Sequence, residues 1–184
     1  MRSNVKAADA ASSYHRSSTF SGGANGSELT IVKGKGLIGS MTFGGQKVDL
    51  VVVGSEGYMR APTGFWRLWV DGTSATKRAG KWFAFPTSNR QFGPMTRVNP
   101  KYFDELNSSP GMLTNKGVTT YHGQSVVAIE RGSQAGMFYV AATGTAYPVA
   151  IVALGAGDTV TFSGWNMSVT LTAPSGAIDL STAG

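Results

Sequence analysis

Of the side chains that perform covalent, acid–base or metal chemistry, this sequence offers few: two histidines, His15 and His122, no cysteine, and ten acids. A zinc site needs imidazole or thiolate donors joined by carboxylates, yet acids such as Asp49, Glu56, Asp71 and Glu130 stand singly along the chain. The adjacent pair Asp104 and Glu105 has no histidine beside it. Serines are plentiful, but none occupies a G-x-S-x-G nucleophile elbow. The run GKGLIG, with Gly34, Gly36 and Gly39, matches the dinucleotide fingerprint letter for letter. That fingerprint works by presenting a pyrophosphate to the N-terminus of the helix that follows, and here SMTFGG follows, a strand and a turn. The three glycines therefore read as turn residues. These observations predict no catalytic residue, no metal site and no cofactor, and place a binding protein ahead of an enzyme. A hydrolase acting on an acidic glycan or lipid stays as the minor alternative, because paired carboxylates are defined by separation in space.

The residues that could bind rather than react are aromatic. Phe65, Trp66, Trp69, Trp82, Phe83, Phe85, Phe92, Tyr102 and Phe103 crowd a stretch that is otherwise basic or irregular. Two readings are open: these rings fill a core, or some of them line an apolar cavity or its rim. In the second reading Phe65, Trp66, Trp69, Trp82 and Phe103 face a ligand, with Met95, Leu106, Met112 and Leu113 as walls that adapt to a hydrocarbon chain. Between Asp71 and Asp104 there are Lys77, Arg78, Lys81, Arg90, Arg97 and Lys101 and no acid, in a chain of net charge +6. That run is either a solvated face or a contact for an anionic headgroup or membrane surface. Aromatics interleaved with basic residues also describe single-strand binders, but no RNP-like segment or five-stranded OB pattern accompanies them, so no nucleic-acid partner is expected.

The elements that must hold these residues are mainly strands. With 184 residues, 41% hydrophobic and 14% charged, the chain fits one domain spanning 1–184, with its remaining polarity supplied by Gly, Ser and Thr rather than by helix-favouring charged residues. From Val5 to about Arg16, Ala7, Ala8, Ala11 and Tyr14 recur at helical spacing, and Ser3 or Asn4 could cap the start. Strands and turns follow: STFSG, a turn at Asn25-Gly26, ELTIVK, LIGSMTF, a turn at Gly44-Gly45, QKVDLVVV and EGYMR. The middle predicts a short helix behind Thr63, a strand in GKWFAFP, and a helix in NPKYFDELNSSPG with Asn99 as cap. Strands resume as VTTY, SVVAIER, MFYVAAT, PVAIVAL, TVTFSGW and MSVTLTAP. In MFYVAAT and SVVAIER neither face is wholly polar, so the sheet must be covered on one side and partly on the other by the three helices.

The order of helix, meander, Trp-rich middle, short helix and second meander resembles the LolA/LolB lipoprotein-carrier superfamily, especially its LppX/LprAFG-type branch of actinobacterial envelope lipoproteins. The stretches that carry the resemblance are AASSYHRSSTFSG, VDLVVVGSEGYMRAPTGFW, GKWFAFP and TVTFSGWNMSVTLTAP. The resemblance implies a mainly β (α+β) fold, a single curved antiparallel sheet or half barrel with helices covering its concave face. It also implies an apolar cavity between the layers and a lipid, glycolipid or acylated partner, carried through the cell envelope without chemistry by a monomer. The lipid-modified Cys of the lipoprotein members is missing. The first ten residues, MRSNVKAADA, lack the apolar core of a signal peptide, so an extracytoplasmic location is read from the resemblance alone. A rival reading is an envelope interaction module with a filled core.

Overall fold

The computed structural model describes residues 2–20, 23–97, 113–132, 136–153 and 157–182. A short helix, α1 (Arg2–Ala10), precedes a meander of six strands: β1 (Ser13–Phe20), β2 (Asn25–Val32), β3 (Gly36–Phe43), β4 (Gln46–Val53), β5 (Glu56–Arg60) and β6 (Trp82–Pro86). Two helices, α2 (Thr63–Trp66) and α3 (Gly72–Arg78), sit between β5 and β6, and a 3-10 turn covers Gly93–Thr96. A second meander comprises β7 (Leu113–Tyr121), β8 (Gln124–Arg131), β9 (Met137–Ala141), β10 (Pro148–Val152) and β11 (Thr159–Ser163), and β12 (Ile178–Asp179) closes the chain.

All twelve strands form one open, curved sheet in the order β12-β6-β5-β4-β3-β2-β1-β11-β10-β9-β8-β7. The seam between the two meanders is β1 against β11, with His15 opposite Ser163 and Ser18 opposite Val160. Pairing is antiparallel except for β12, which lies parallel to β6. The expected half barrel is therefore the observed fold.

Directly opposed residues share a face, so the registers carry one set of side chains across the sheet. It runs from Phe83 and Phe85 through Met59, Leu50 and Leu37 to Leu29, Ile31 and Tyr14. It continues through Val160, Phe162 and Ile151 to Phe138, Val140, Val127 and Ile129. This is the inner face: its β1–β6 part forms one buried cluster with Ala8 of α1, Phe65 and Trp66 of α2, and Ala75 of α3. Each such ring or branched chain contributes about 1.5–3 kcal/mol on burial. Gly39 lies in the middle of β3 on this face, at φ +153, and a Cβ there would fall 1.9 Å from the Glu28 carbonyl oxygen. The turn reading of GKGLIG is thus corrected in part: Gly34, at φ +70, turns the chain between β2 and β3, while Gly36 and Gly39 lie within β3, where strands approach too closely for a side chain.

Several local expectations are corrected. The first helix ends at Ala10, and Tyr14 to Arg16 belong to β1, because pairing with both β2 and β11 outweighs the helical spacing of the alanines. Asn25-Gly26 begins β2, with Asn25 opposite Phe20; the turn falls earlier, where Gly23 takes φ +94. Helix α3 carries no apolar periodicity and is held by its cap: the Asp71 carboxylate accepts from the Thr73 and Ser74 N–H groups at 2.9 and 3.1 Å. MSVTLTAP is not a strand. Both neighbours of β11 are taken by β1 and β10, so the chain has no free edge there. Instead it runs past the strand ends, Leu171 meeting Gly36, until β12 joins β6. The helix expected in 99–111 lies outside the described residues.

Candidate ligand cavities on the inner face

The two halves of the inner face are packed differently. Over β4–β6 the space is filled by rings. Trp66 and Phe83 meet edge to face at 5.1 Å, and Phe92 packs on Phe65, Trp66, Trp69 and Phe85 at 5.4–6.3 Å. Trp66 is 0% exposed and Phe65 1%. The Arg78 guanidinium lies 5.5 Å from the Trp66 ring centre and closes this cluster from the side.

Over β8–β10 the described residues contribute one buried ring, Phe138. Ile129, Phe138 and Val140 form a small separate cluster, and beside it lies a cavity of about 320 Å3 lined by Asn4, Leu113, Asn115, Val127, Ile129, Val140, Ala141 and Ala146. Its size falls within the roughly 300–1,000 Å3 of small-molecule sites, and its walls are apolar apart from two carboxamides. A second, larger cavity of about 610 Å3 opens at the ends of β2–β4. Its floor is Tyr14, Ile31, Leu37 and Val52, and Lys33, Lys35 and Arg97 stand at its edge with Asp9. The two are linked by α1, whose Asn4 lines one and whose Asp9 lines the other. The Lys33 ammonium donates to the Ala8 and Asp9 carbonyl oxygens at the C-terminus of α1, a favourable place for a cation. Burial pushes its pKa down and the Asp9 carboxylate partly restores it.

The aromatic residues expected to line a cavity are distributed among three environments. Phe65 and Trp66 are packed core, and Met95 packs against that core. Trp69 is 42% exposed, its ring packing on Phe65 and Phe92, and it lines neither of these cavities. Trp82 lies on the outer face, opposite Arg60 and beneath its guanidinium at 5.0 Å. Leu113 lines the smaller cavity; Phe103, Leu106 and Met112 lie outside the described residues. Of the basic run, Lys77, Lys81, Arg90 and Arg97 are exposed, Arg78 is turned onto Trp66, and Lys101 lies outside the described residues. The cavity walls that the aromatic signal did not reveal are Val127, Ile129, Val140 and Ala146 in one site, and Tyr14, Ile31, Leu37 and Val52 in the other. A sequence signal for the first set exists: Val127 and Ile129 share a face of SVVAIER, and Phe138 and Val140 share one of MFYVAAT.

The polar residues of the outer face make structural contacts. His15 bonds Thr30 through Nδ1 at 3.2 Å and Glu28 through Nε2 at 3.0 Å, while the Ser17 hydroxyl donates to the same carboxylate. The serine meets the acid and not the imidazole, so this cluster lacks the proton relay of a nucleophilic triad. Among the described residues no three His, Asp or Glu side chains are placed to hold a metal ion.

No family model matches the chain, and no curated protein matches it. Among solved structures, LprF from Mycobacterium bovis superposes with a TM-score of 0.66 at 13% identity, covering 95% of this chain and 95% of that one. The Mycobacterium tuberculosis lipoprotein LppX superposes with a TM-score of 0.59 at 15% identity, covering 93% of this chain and 95% of that one. The resemblance to the LppX/LprAFG-type branch thus holds in three dimensions, at the level of the fold.

Proposed function

We propose that this chain is a non-enzymatic binder of an acylated amphiphile in the cell envelope, holding the hydrocarbon chain on the inner face of its sheet. The observation that carries this reading is apolar space on the inner face beside the ring-packed core: about 320 Å3 over β8–β10, lined by Leu113, Val127, Ile129, Val140 and Ala146. A hydrocarbon chain gains about 0.8 kcal/mol for each methylene buried there, enough for retention without covalent chemistry. Lys33, Lys35 and Arg97 at the larger cavity suit an anionic part of the same ligand. An envelope location is supported by the fold shared with a mycobacterial lipoprotein.

Loading and release at a membrane would use the exposed apolar side chains around Phe65. Phe43, Leu68 and Trp69 are 50%, 58% and 42% exposed there, the Phe43 and Trp69 rings both packing on Phe65, and Arg67, just after α2, and Lys77 of α3 are exposed too. An interfacial tryptophan with cationic neighbours fits an anionic lipid surface. Native mass spectrometry of the protein purified from its own source tests the central reading. Copurified lipid that is lost on changing Val140→Asp, with the sheet still folded by circular dichroism, is the expected result. Protein that carries no lipid, and takes none up from vesicles, would overturn it in favour of an interaction module.

A further inference from the structure

Asn4 occupies an unusual place for a carboxamide. It lies in the first turns of α1, is 2% exposed, and points into the apolar cavity over β8–β10. Neither its Nδ2 nor its Oδ1 has a hydrogen-bond partner among the described residues. A buried amide left in that state destabilises the protein that carries it, because it has given up water and gained nothing. A water held there would have the two atoms of Asn4 as partners, the minimum of the two to four that a held water needs, and mostly aliphatic walls elsewhere. The other polar wall, Asn115, turns its carboxamide oxygen to the Gly117 N–H at 2.8 Å, and the remaining walls are aliphatic. Asparagine is not favoured inside a helix for its own sake either, because its side chain competes with the backbone for hydrogen bonds.

We infer that Asn4 is a ligand-recognition residue, and that the ligand's hydrocarbon chain bears a neutral group that both donates and accepts a hydrogen bond, a hydroxyl, at the end that reaches α1. A hydroxyl answers both atoms: its oxygen accepts from Nδ2–H and its proton goes to Oδ1. An ester accepts only and would leave Oδ1 bare; a carboxylate would bring an unpaired charge into an aliphatic cavity. This inference rests on the proposed lipid-binding role and narrows its ligand class to hydroxylated acyl or alkyl chains.

The test compares 1-decanol with 1-chlorodecane, two chains of near-equal length and end-group size, by displacement of a fluorescent apolar probe from the whole protein. In a purely aliphatic cavity the chloride binds better, because the hydroxyl must shed water. With Asn4 answering the hydroxyl, 1-decanol binds about tenfold tighter. The variant Asn4→Leu, close in volume, should reverse that order while raising the melting temperature of the ligand-free protein, since an unanswered amide has been removed; Asn4→Ala gives the same reversal if the leucine disturbs α1. A wild-type protein that binds both chains but prefers the chloride, or an unchanged order in both variants, overturns the inference and leaves the lipid-binding reading standing. Binding of neither chain overturns the lipid-binding reading itself.

Discussion

Chain length is the sharpest probe of the smaller cavity, because its volume sets a limit. If a methylene takes up about as much space as a water molecule in the liquid, about 30 Å3, then 320 Å3 holds about ten of them. Each one buried contributes about 0.8 kcal/mol, a factor of about four in affinity. Across 1-alkanols from six to sixteen carbons, the dissociation constant should therefore fall about fourfold per carbon and level off at about ten to twelve. Replacing Val127 with Phe puts about four more carbon atoms into the same space and displaces roughly three methylenes, weakening the best ligand by about 2.4 kcal/mol, or about sixtyfold, and moving the plateau to shorter chains. Because the ring enters open volume, the variant should unfold in urea at nearly the wild-type midpoint. The same probe-displacement titration reads both series. An affinity that climbs unbroken to sixteen carbons, or a Val127→Phe protein with the wild-type curve, would refute this account of the cavity.

Trp82→Ala should leave alkanol affinity within about twofold, since that ring lies on the outer face under Arg60; a larger loss would mean the outer face takes part in binding. Hydrogen bonds from the Ser74 hydroxyl and N–H hold the Asp71 carboxyl below its ordinary value. Its stabilisation of α3 is thus complete above the unfolded value of about 3.9 and is lost as pH falls through the lower folded one. Asp71→Asn, which still caps, should leave the melting temperature at pH 7 almost unchanged and make its decline toward acid shallower in a calorimetric series. Gly39→Val places a Cβ 1.9 Å from the Glu28 carbonyl oxygen, and should cost about 3 kcal/mol or more in urea unfolding. Changing Leu68 and Trp69 together to serine should lower partitioning onto phosphatidylglycerol vesicles at least about tenfold at low salt, with phosphatidylcholine vesicles little affected in either protein.

Much of the sheet was legible in the chain because a strand's two faces are a local property. The alternation in QKVDLVVV and EGYMR already assigns Val48, Leu50 and Met59 to one side, and Gly44-Gly45, with φ of +54 and +75, turns the chain where the sequence says it should. Inward and outward sides of SVVAIER and MFYVAAT were likewise readable, which is why the cavity wall of Val127, Ile129 and Val140 was within reach of sequence reasoning. The absence of cysteine and the presence of two histidines are matters of composition and need no fold.

Three things were decided only in three dimensions. Tyr14 to Arg16 became strand because β1 found partners on both sides, β2 from its own meander and β11 from a segment near the other end of the chain. The end of the chain stayed irregular from Met167 on because those pairings left it no edge until β6. The aromatic run separated into core, exposed surface and outer face, with Phe65 buried, Trp69 half exposed and Trp82 outside, since a ring's environment depends on the volume that distant strands leave for it. Periodicity tells which way a side chain points; only the packing of residues far apart in sequence determines whether the space it points into is full.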